Sequence, residues 1–336
     1  MTALGIVVIG RNEGERLVRC LLSIRHWSHI VYVDSGSKDG SIQFALNLGI
    51  VVVNLDLTTP FTAARARNAG FSRLMEMHSD IEYVQFVDGD CTILSEWFDK
   101  GISSLQRDRS IASVCGRVFE IERDRNLYSR LADLEWDGPT GEIDSCGGIF
   151  LIRAKVFRDL NGFRDSLIAG EEPELCLRIR KCGHKVMRIP YPMATHDIAM
   201  SHFSQWFSRA RRGGYAYAEN CALHGSPPDF HKVHEVKSAL FWGAVLPLNA
   251  LASLILSLWL NWAWIGFAIA SLGFAYLGLK VYRNQLQAGR SISDARLYAL
   301  FCVLGKLPCF LGILQYWFNR LSGRASKLIE YKVVNS

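Results

Sequence analysis

Between Ala239 and Leu279 the chain has no Asp, Glu, Lys, Arg or His. This uncharged run is 41 residues long. It excludes an ordinary solvated surface and has room for two bilayer-crossing helices, each needing about 20 apolar residues. The nine cysteines include no C-x-x-C pair. They read as reduced core residues of a cytosolic domain. No internal repeat and no low-complexity tract occurs. The opening run Met1–Gly10 is apolar and short and lacks a basic leader, so it reads as a first strand rather than a secretory signal.

Charge is just as uneven. The whole chain carries +6, yet Ala239 to Ser336 alone holds nine Lys/Arg against two acids. The preceding residues are therefore close to neutral. The basic excess sits beside apolar segments, where it meets anionic lipid, and it is not a nucleic-acid footprint.

What is present is a run of strands that end in polar loops. Val84-Gln85-Phe86-Val87 is an apolar strand closing on Asp88-Gly89-Asp90. Earlier strands are expected at Leu4–Ile9, Ile30–Val33 and Ile50–Val53, with helices around Leu17–Ile24 and Phe61–Met77. This alternation predicts an α/β fold with a doubly wound, mostly parallel sheet. Asn12 and Glu13, then Asp34, then Asp88 and Asp90 would line one edge of it, where open α/β sheets bind ligands. Two acids flanking a glycine suit a hard divalent cation that holds phosphate oxygens. The same residues also make ordinary turns.

Val8-Ile9-Gly10-Arg11-Asn12-Glu13, Val33-Asp34-Ser35-Gly36-Ser37-Lys38-Asp39-Gly40-Ser41, Ala66-Arg67-Asn68-Ala69-Gly70 and Asp88-Gly89-Asp90 together resemble family 2 glycosyltransferases of the GT-A fold. The resemblance covers about the first 240 residues. It implies a nucleotide-sugar donor, Mg²⁺ or Mn²⁺ as cofactor, and inversion at the anomeric carbon. Asn12 and Glu13 would belong to the donor side. Asp34 would accept from the donor base, commonly uracil. Asp88 would face the nucleotide and flank the metal, and Asp90 would hold the metal. Arg67 would reach the diphosphate or form a structural salt bridge.

Ser145-Cys146-Gly147-Gly148 is a small-residue turn entering a strand. Gly170-Glu171-Glu172-Pro173-Glu174 opens a helix, with Pro173 in its first turn. Acids there complement the helix dipole. The resemblance also implies a general base, with Glu172 where the family commonly has Asp and Glu171 beside it. His196 either packs in the fold or completes the metal site. Arg209 and Arg212 lie in an aromatic, arginine-bearing segment, Phe203–Tyr215. They would grip the donor diphosphate or form a basic helix on the bilayer surface.

The chain divides on this reading into a cytosolic catalytic domain, 1–237, with an interfacial segment at about 201–237, and an α-helical membrane region, 238–336. Spans are expected over Ala239–Leu260 and Ala263–Leu279, joined at Asn261, Trp262 and Trp264. The third stretch, Leu297–Phe318, is broken by Lys306 and Pro308. If it crossed, Arg320, Arg324, Lys327 and Lys332 would lie outside, and Lys306 mid-bilayer at about 3 kcal/mol. A re-entrant or surface position, with Ser336 cytosolic, is the expectation. The protein would then be a multi-pass inner-membrane glycosyltransferase acting on a lipid-linked or cell-surface glycan, alongside other glycan-assembly proteins. A polyprenyl-phosphate glycosyltransferase, whose acceptor needs no base, is one alternative. A non-catalytic sugar-binding or scaffold subunit is another.

Overall fold

The computed structural model describes residues 3–324, so the expectations for Lys327, Lys332 and Ser336 fall outside it. Contacts divide the chain into two units. The first comprises residues up to Arg123 and Glu135–Ala199, and the second comprises Asp124–Leu134 and the chain from Met200 onward.

The first unit is built on one sheet. Its strands are β1 (Leu4–Gly10), β2 (Ile30–Asp34), β3 (Val51–Asn54), β4 (Tyr83–Asp88), β5 (Cys91–Ile93), β6 (Ile111–Glu120), β7 (Gly141–Glu142), β8 (Phe150–Arg153) and β9 (Lys185–His196). Their spatial order is β3-β2-β1-β4-β8-β6-β9-β5, with β7 on β9. The four strands β3, β2, β1 and β4 are parallel, as their alternation with helices requires. β8 joins antiparallel to β4 and β6, and β9 returns parallel to β6. The winding reverses between β1 and β4, and that switch point opens the crevice where such sheets bind ligands. Register keeps the strand ends level: Gly10 pairs with Asp34, and Ile9 with Asp88.

The periodic apolar residues lie where a 3.6-residue repeat puts them. Leu17, Cys20, Leu21 and Ile24 form the buried face of helix Glu15–Ile24. Helix Ala63–Met77 is capped by Thr62, whose hydroxyl accepts from Arg65 N at 3.1 Å. Gly70 brings this helix against the sheet, since a Cβ there would lie 2.4 Å from Val7 Cγ1. That close approach carries Arg67, one turn earlier, to the C-terminal edge of β4. Inside β4, Gln85 is fully buried but satisfied, accepting from Trp97 Nε1 at 2.8 Å and donating to Phe86 O.

The second unit collects the apolar helices. Among the described residues, three helices are long and apolar enough to cross a membrane: Val233–Leu256, Trp264–Gln287 and Ile292–Leu321. The first contains a π-helical turn at Phe241–Val245, and the third breaks at Gly305, just before Lys306. Pro308 sits in the first turn after that break, where it costs no helical hydrogen bond. Residues 124–134 join this unit for specific reasons. Arg130 Nε bonds Asp294 Oδ1 at 2.6 Å, Arg290 donates to Leu134 O, and Asn126 donates to Met200 O. Phe301 packs edge-on against both Tyr128 and Trp206. Helix Phe203–His224 also belongs here, and its Gly214 packs against the Cys309 carbonyl, leaving no room for a Cβ.

Candidate active site

The strand ends of β1, β2 and β4 converge as the alternating pattern implies. Asp88 closes β4 with its side chain about one-third exposed. Arg67 is buried and bridges two acids, with Nη2 on Asp88 Oδ1 at 2.7 Å and Nη1 on Glu171 Oε1 at 2.6 Å. The guanidinium thus ties the end of β4 to the first turn of helix Glu171–Lys181. Gly148 lies directly on this bridge. A Cβ there would come within 2.8 Å of Asp88 Oδ2 and 2.9 Å of Arg67 Nη2, so glycine is required for the loop to approach.

Two residues past Asp88, Asp90 is buried and faces His196 at the end of β9, Oδ2 to Nε2 at 3.2 Å. The other ring nitrogen, Nδ1, contacts Glu120 Oε1 at the end of β6. Burial works against a charged imidazole, but Asp90 and Glu120 outweigh it and raise the His196 pKa to about 10. Glu120 also accepts from Ile198 N at 3.2 Å. Sequence reasoning did not find Glu120, because it lies 76 residues from His196 and carries no motif.

Ligand atoms of Asp90, Cys91 and His196 lie within 4.8 Å of one another. The Asp90 carboxylate, with Asp88 at the same strand end, suits Mn²⁺ or Mg²⁺, which take oxygen ligands. The Cys91 thiol is raised well above its usual range by burial and by Asp90, which keeps it protonated. The strand-end carboxylates therefore fit a divalent cation, and His196 would join them as a nitrogen ligand only on giving up its proton.

Asp34 is buried and already engaged. It accepts from Tyr32 Oη at 2.8 Å, Gly36 N at 2.9 Å and Ser37 N at 2.7 Å. Burial first, and then the Asp34 charge, raise the Tyr32 phenol well above its usual pKa. Asn12, held at a positive φ of 53°, laces two loops together: its N–H donates to Ser37 Oγ, and Lys38 N donates to its Oδ1. Glu13 pairs with Arg16 at 2.8 Å. These loops form a preorganised rim whose backbone depends on the Asp34 carboxylate.

Glu172 lies one residue past the Arg67 bridge in a different environment. Its Oε1 accepts from Cys146 N and from Cys176 Sγ, the latter at 2.9 Å. Burial pushes its pKa up to about 7, despite hydrogen bonds from Cys176 and the Cys146–Gly147 backbone that favour the charged form. Arg209 and Arg212 are half-buried on helix Phe203–His224, in the second unit rather than the unit holding the other candidates.

Residues 5–160 match the family model for glycosyl transferase family 2. The pre-mycofactocin glycosyltransferase of Mycobacterium tuberculosis is 24% identical over 230 residues, which is 63% of this chain and 46% of that protein. The O-antigen chain rhamnosyltransferase RfbN of Salmonella typhimurium is 22% identical over 182 residues, 50% of this chain and 56% of that protein. The chain thus spans about half the length of these relatives. Among solved structures, a mannosyltransferase from Pyrobaculum calidifontis, in complex with GDP-Man and Mn²⁺, superposes with a TM-score of 0.56. It is 16% identical, with 95% of this chain and 88% of that chain covered. Likeness at that identity carries the fold, and the fold is GT-A. Residues 5–160 thus match glycosyl transferase family 2, the fold is GT-A, and among the described residues three C-terminal helices are long and apolar enough to cross a membrane.

Proposed function

We propose that this protein is a membrane-anchored, inverting, metal-dependent glycosyltransferase. On this reading it moves a sugar from a nucleotide-sugar donor, UDP-linked, to a lipid-linked or cell-surface glycan. The observation that carries the proposal is the Asp88–Arg67–Glu171 bridge, which sets donor-side and acceptor-side acids at a fixed spacing.

Asp90 and His196 would hold the cation, with Asp88 beside them. The cation would neutralise the leaving diphosphate as the glycosidic bond breaks. Glu171 is charge-paired with Arg67, so its carboxylate is already engaged. Glu172, near pKa 7, has the basicity to take the proton of an attacking sugar hydroxyl at neutral pH. The Cys146–Gly148 loop covers it. A raised carboxylate favours a hydroxyl acceptor over a polyprenyl phosphate, which needs no base.

The division proposed is a catalytic part through residue 237 and a membrane part from 238. Helices 233–256 and 264–287 cross and return, with the catalytic part cytosolic. Helix pair 292–321 lies along the membrane surface. Three contacts support that placement. Lys306 Nζ bonds Ser238 Oγ at 3.0 Å, near the start of the first crossing helix. Helix Lys306–Leu321 packs against Val233–Val245 rather than against the later half of that helix. It also packs along Phe203–His224, whose three arginines, Arg209, Arg211 and Arg212, keep that helix out of a bilayer core.

A donor screen on the full chain, with Mn²⁺ or Mg²⁺ and nucleoside diphosphate release as readout, tests the function. Release should be fastest with one UDP-sugar, and the product should have inverted anomeric configuration by NMR. No release with any donor and acceptor extract would refute it.

A further inference from the structure

The cysteines nearest the candidate base are arranged for chemistry of their own. Glu172 and Cys176 are four residues apart on helix Glu171–Lys181, and so share one face. The Ser145–Gly148 loop delivers Cys146 to the same face from another part of the chain. Ligand atoms of Cys146, Glu172 and Cys176 all lie within 4.8 Å of one another, and all three residues are buried. Cys115, on β6, interacts with the Cys146 thiol as well. Ser113 Oγ lies 3.5 Å from Cys146 Sγ.

We propose that Cys146, Cys176 and Glu172 form a binding site for a thiophilic divalent cation of the Zn²⁺ class, and that its occupancy silences transfer. The second half rests on the reading of Glu172 as the base.

The donor set selects the cation. Two sulfurs and one carboxylate suit Zn²⁺ or Cd²⁺ and discriminate against Mg²⁺ and Mn²⁺, which prefer oxygen. Tetrahedral Zn²⁺, with bonds of about 2.3 Å to sulfur and about 2.0–2.2 Å to oxygen, needs ligand atoms roughly 3.5–3.8 Å apart. The observed cluster reaches that spacing by side-chain shifts of about 1 Å or less. Binding converts two thiols to thiolates and releases their protons to solvent, together with the Glu172 proton wherever that carboxyl is protonated. The carboxylate lone pair that would take the acceptor proton is then engaged by the cation.

Cobalt substitution on the full chain in detergent tests the site, with Mg²⁺ saturating the Asp90–His196 position. Co²⁺ should give a thiolate-to-metal charge-transfer band that Zn²⁺ displaces. The band should vanish in Cys146→Ser/Cys176→Ser and persist in Cys91→Ser, which separates this cluster from the Asp90 site. Zn²⁺ should inhibit nucleoside diphosphate release by the wild type. The double variant, scaled to its own zinc-free rate, should need about tenfold more Zn²⁺ or higher. Mass-spectrometric alkylation of the wild type is independent of variant folding: Zn²⁺ should protect Cys146 and Cys176. Absence of the band, or its survival in the double variant, overturns the site. A band and protection without inhibition uphold the site and overturn the role of Glu172 as base.

Discussion

Arg67 holds Glu171 across 104 residues of sequence, Nη1 to Oε1 at 2.6 Å, while its other terminal nitrogen holds Asp88. One guanidinium therefore fixes how far the acid helix stands from the end of β4. The fork geometry matters, because a lysine ammonium cannot reach both carboxylates in the same way.

Arg67→Ala should lower stability by about 3–5 kcal/mol, the cost of leaving buried charge without its partner. Arg67→Lys should recover less than half of that, and transfer should stay impaired. Urea denaturation and nucleoside diphosphate release on the same preparations check both.

Asp90→Ala should abolish transfer while leaving the sheet folded, because it would remove the proposed cation ligand at the end of a completed strand. EDTA should do the same to the wild type, and Mn²⁺ should restore it. Full activity in either case would contradict the assignment.

Glu172 gives two opposite pH dependences. Its folded pKa of about 7 lies above the ordinary 4.5, so the folded state holds an extra proton between those values. Stability should fall as pH rises through that window and level off above it. Transfer should rise over the upper part of the same window, as the carboxylate becomes able to accept a proton. Glu172→Gln should flatten both profiles and lower turnover by about 10²–10⁴. A larger effect from Glu171→Gln would move the base by one residue.

Asp34→Ala should weaken donor binding and also cost about 1–3 kcal/mol, since Tyr32 Oη and two backbone N–H groups lose their acceptor. Calorimetric titration with UDP, paired with thermal melts, separates the two effects. Unchanged affinity for every nucleotide would exclude Asp34 from the donor site.

Topology is checked at Ser322, just past helix Lys306–Leu321. A cysteine there, in a chain stripped of its native cysteines, should resist an impermeant thiol reagent added outside intact cells. Labelling from outside would mean that residues 292–321 cross the bilayer.

Periodicity and local chemistry determined much of this protein. Alternating runs marked β1, β2 and β4, the 3.6-residue repeat marked helix Glu15–Ile24, and the uncharged stretch marked the apolar helices. Such signals are legible because each element answers to its own residues. The acids at the strand ends were visible for the same reason, but their partners were not. Nothing local joins Arg67 to Glu171, His196 to Glu120, or Glu172 to Cys146. Those pairs exist because Gly70 seats one helix on the sheet and because β6 and β9 run parallel side by side. The same holds for residues 124–134, which leave the first unit through Arg130 and Asp294. Charge states followed packing as well. The resemblance pointed to Glu172 over its neighbour Glu171, but only tertiary burial paired Glu171 with arginine and left Glu172 near pKa 7.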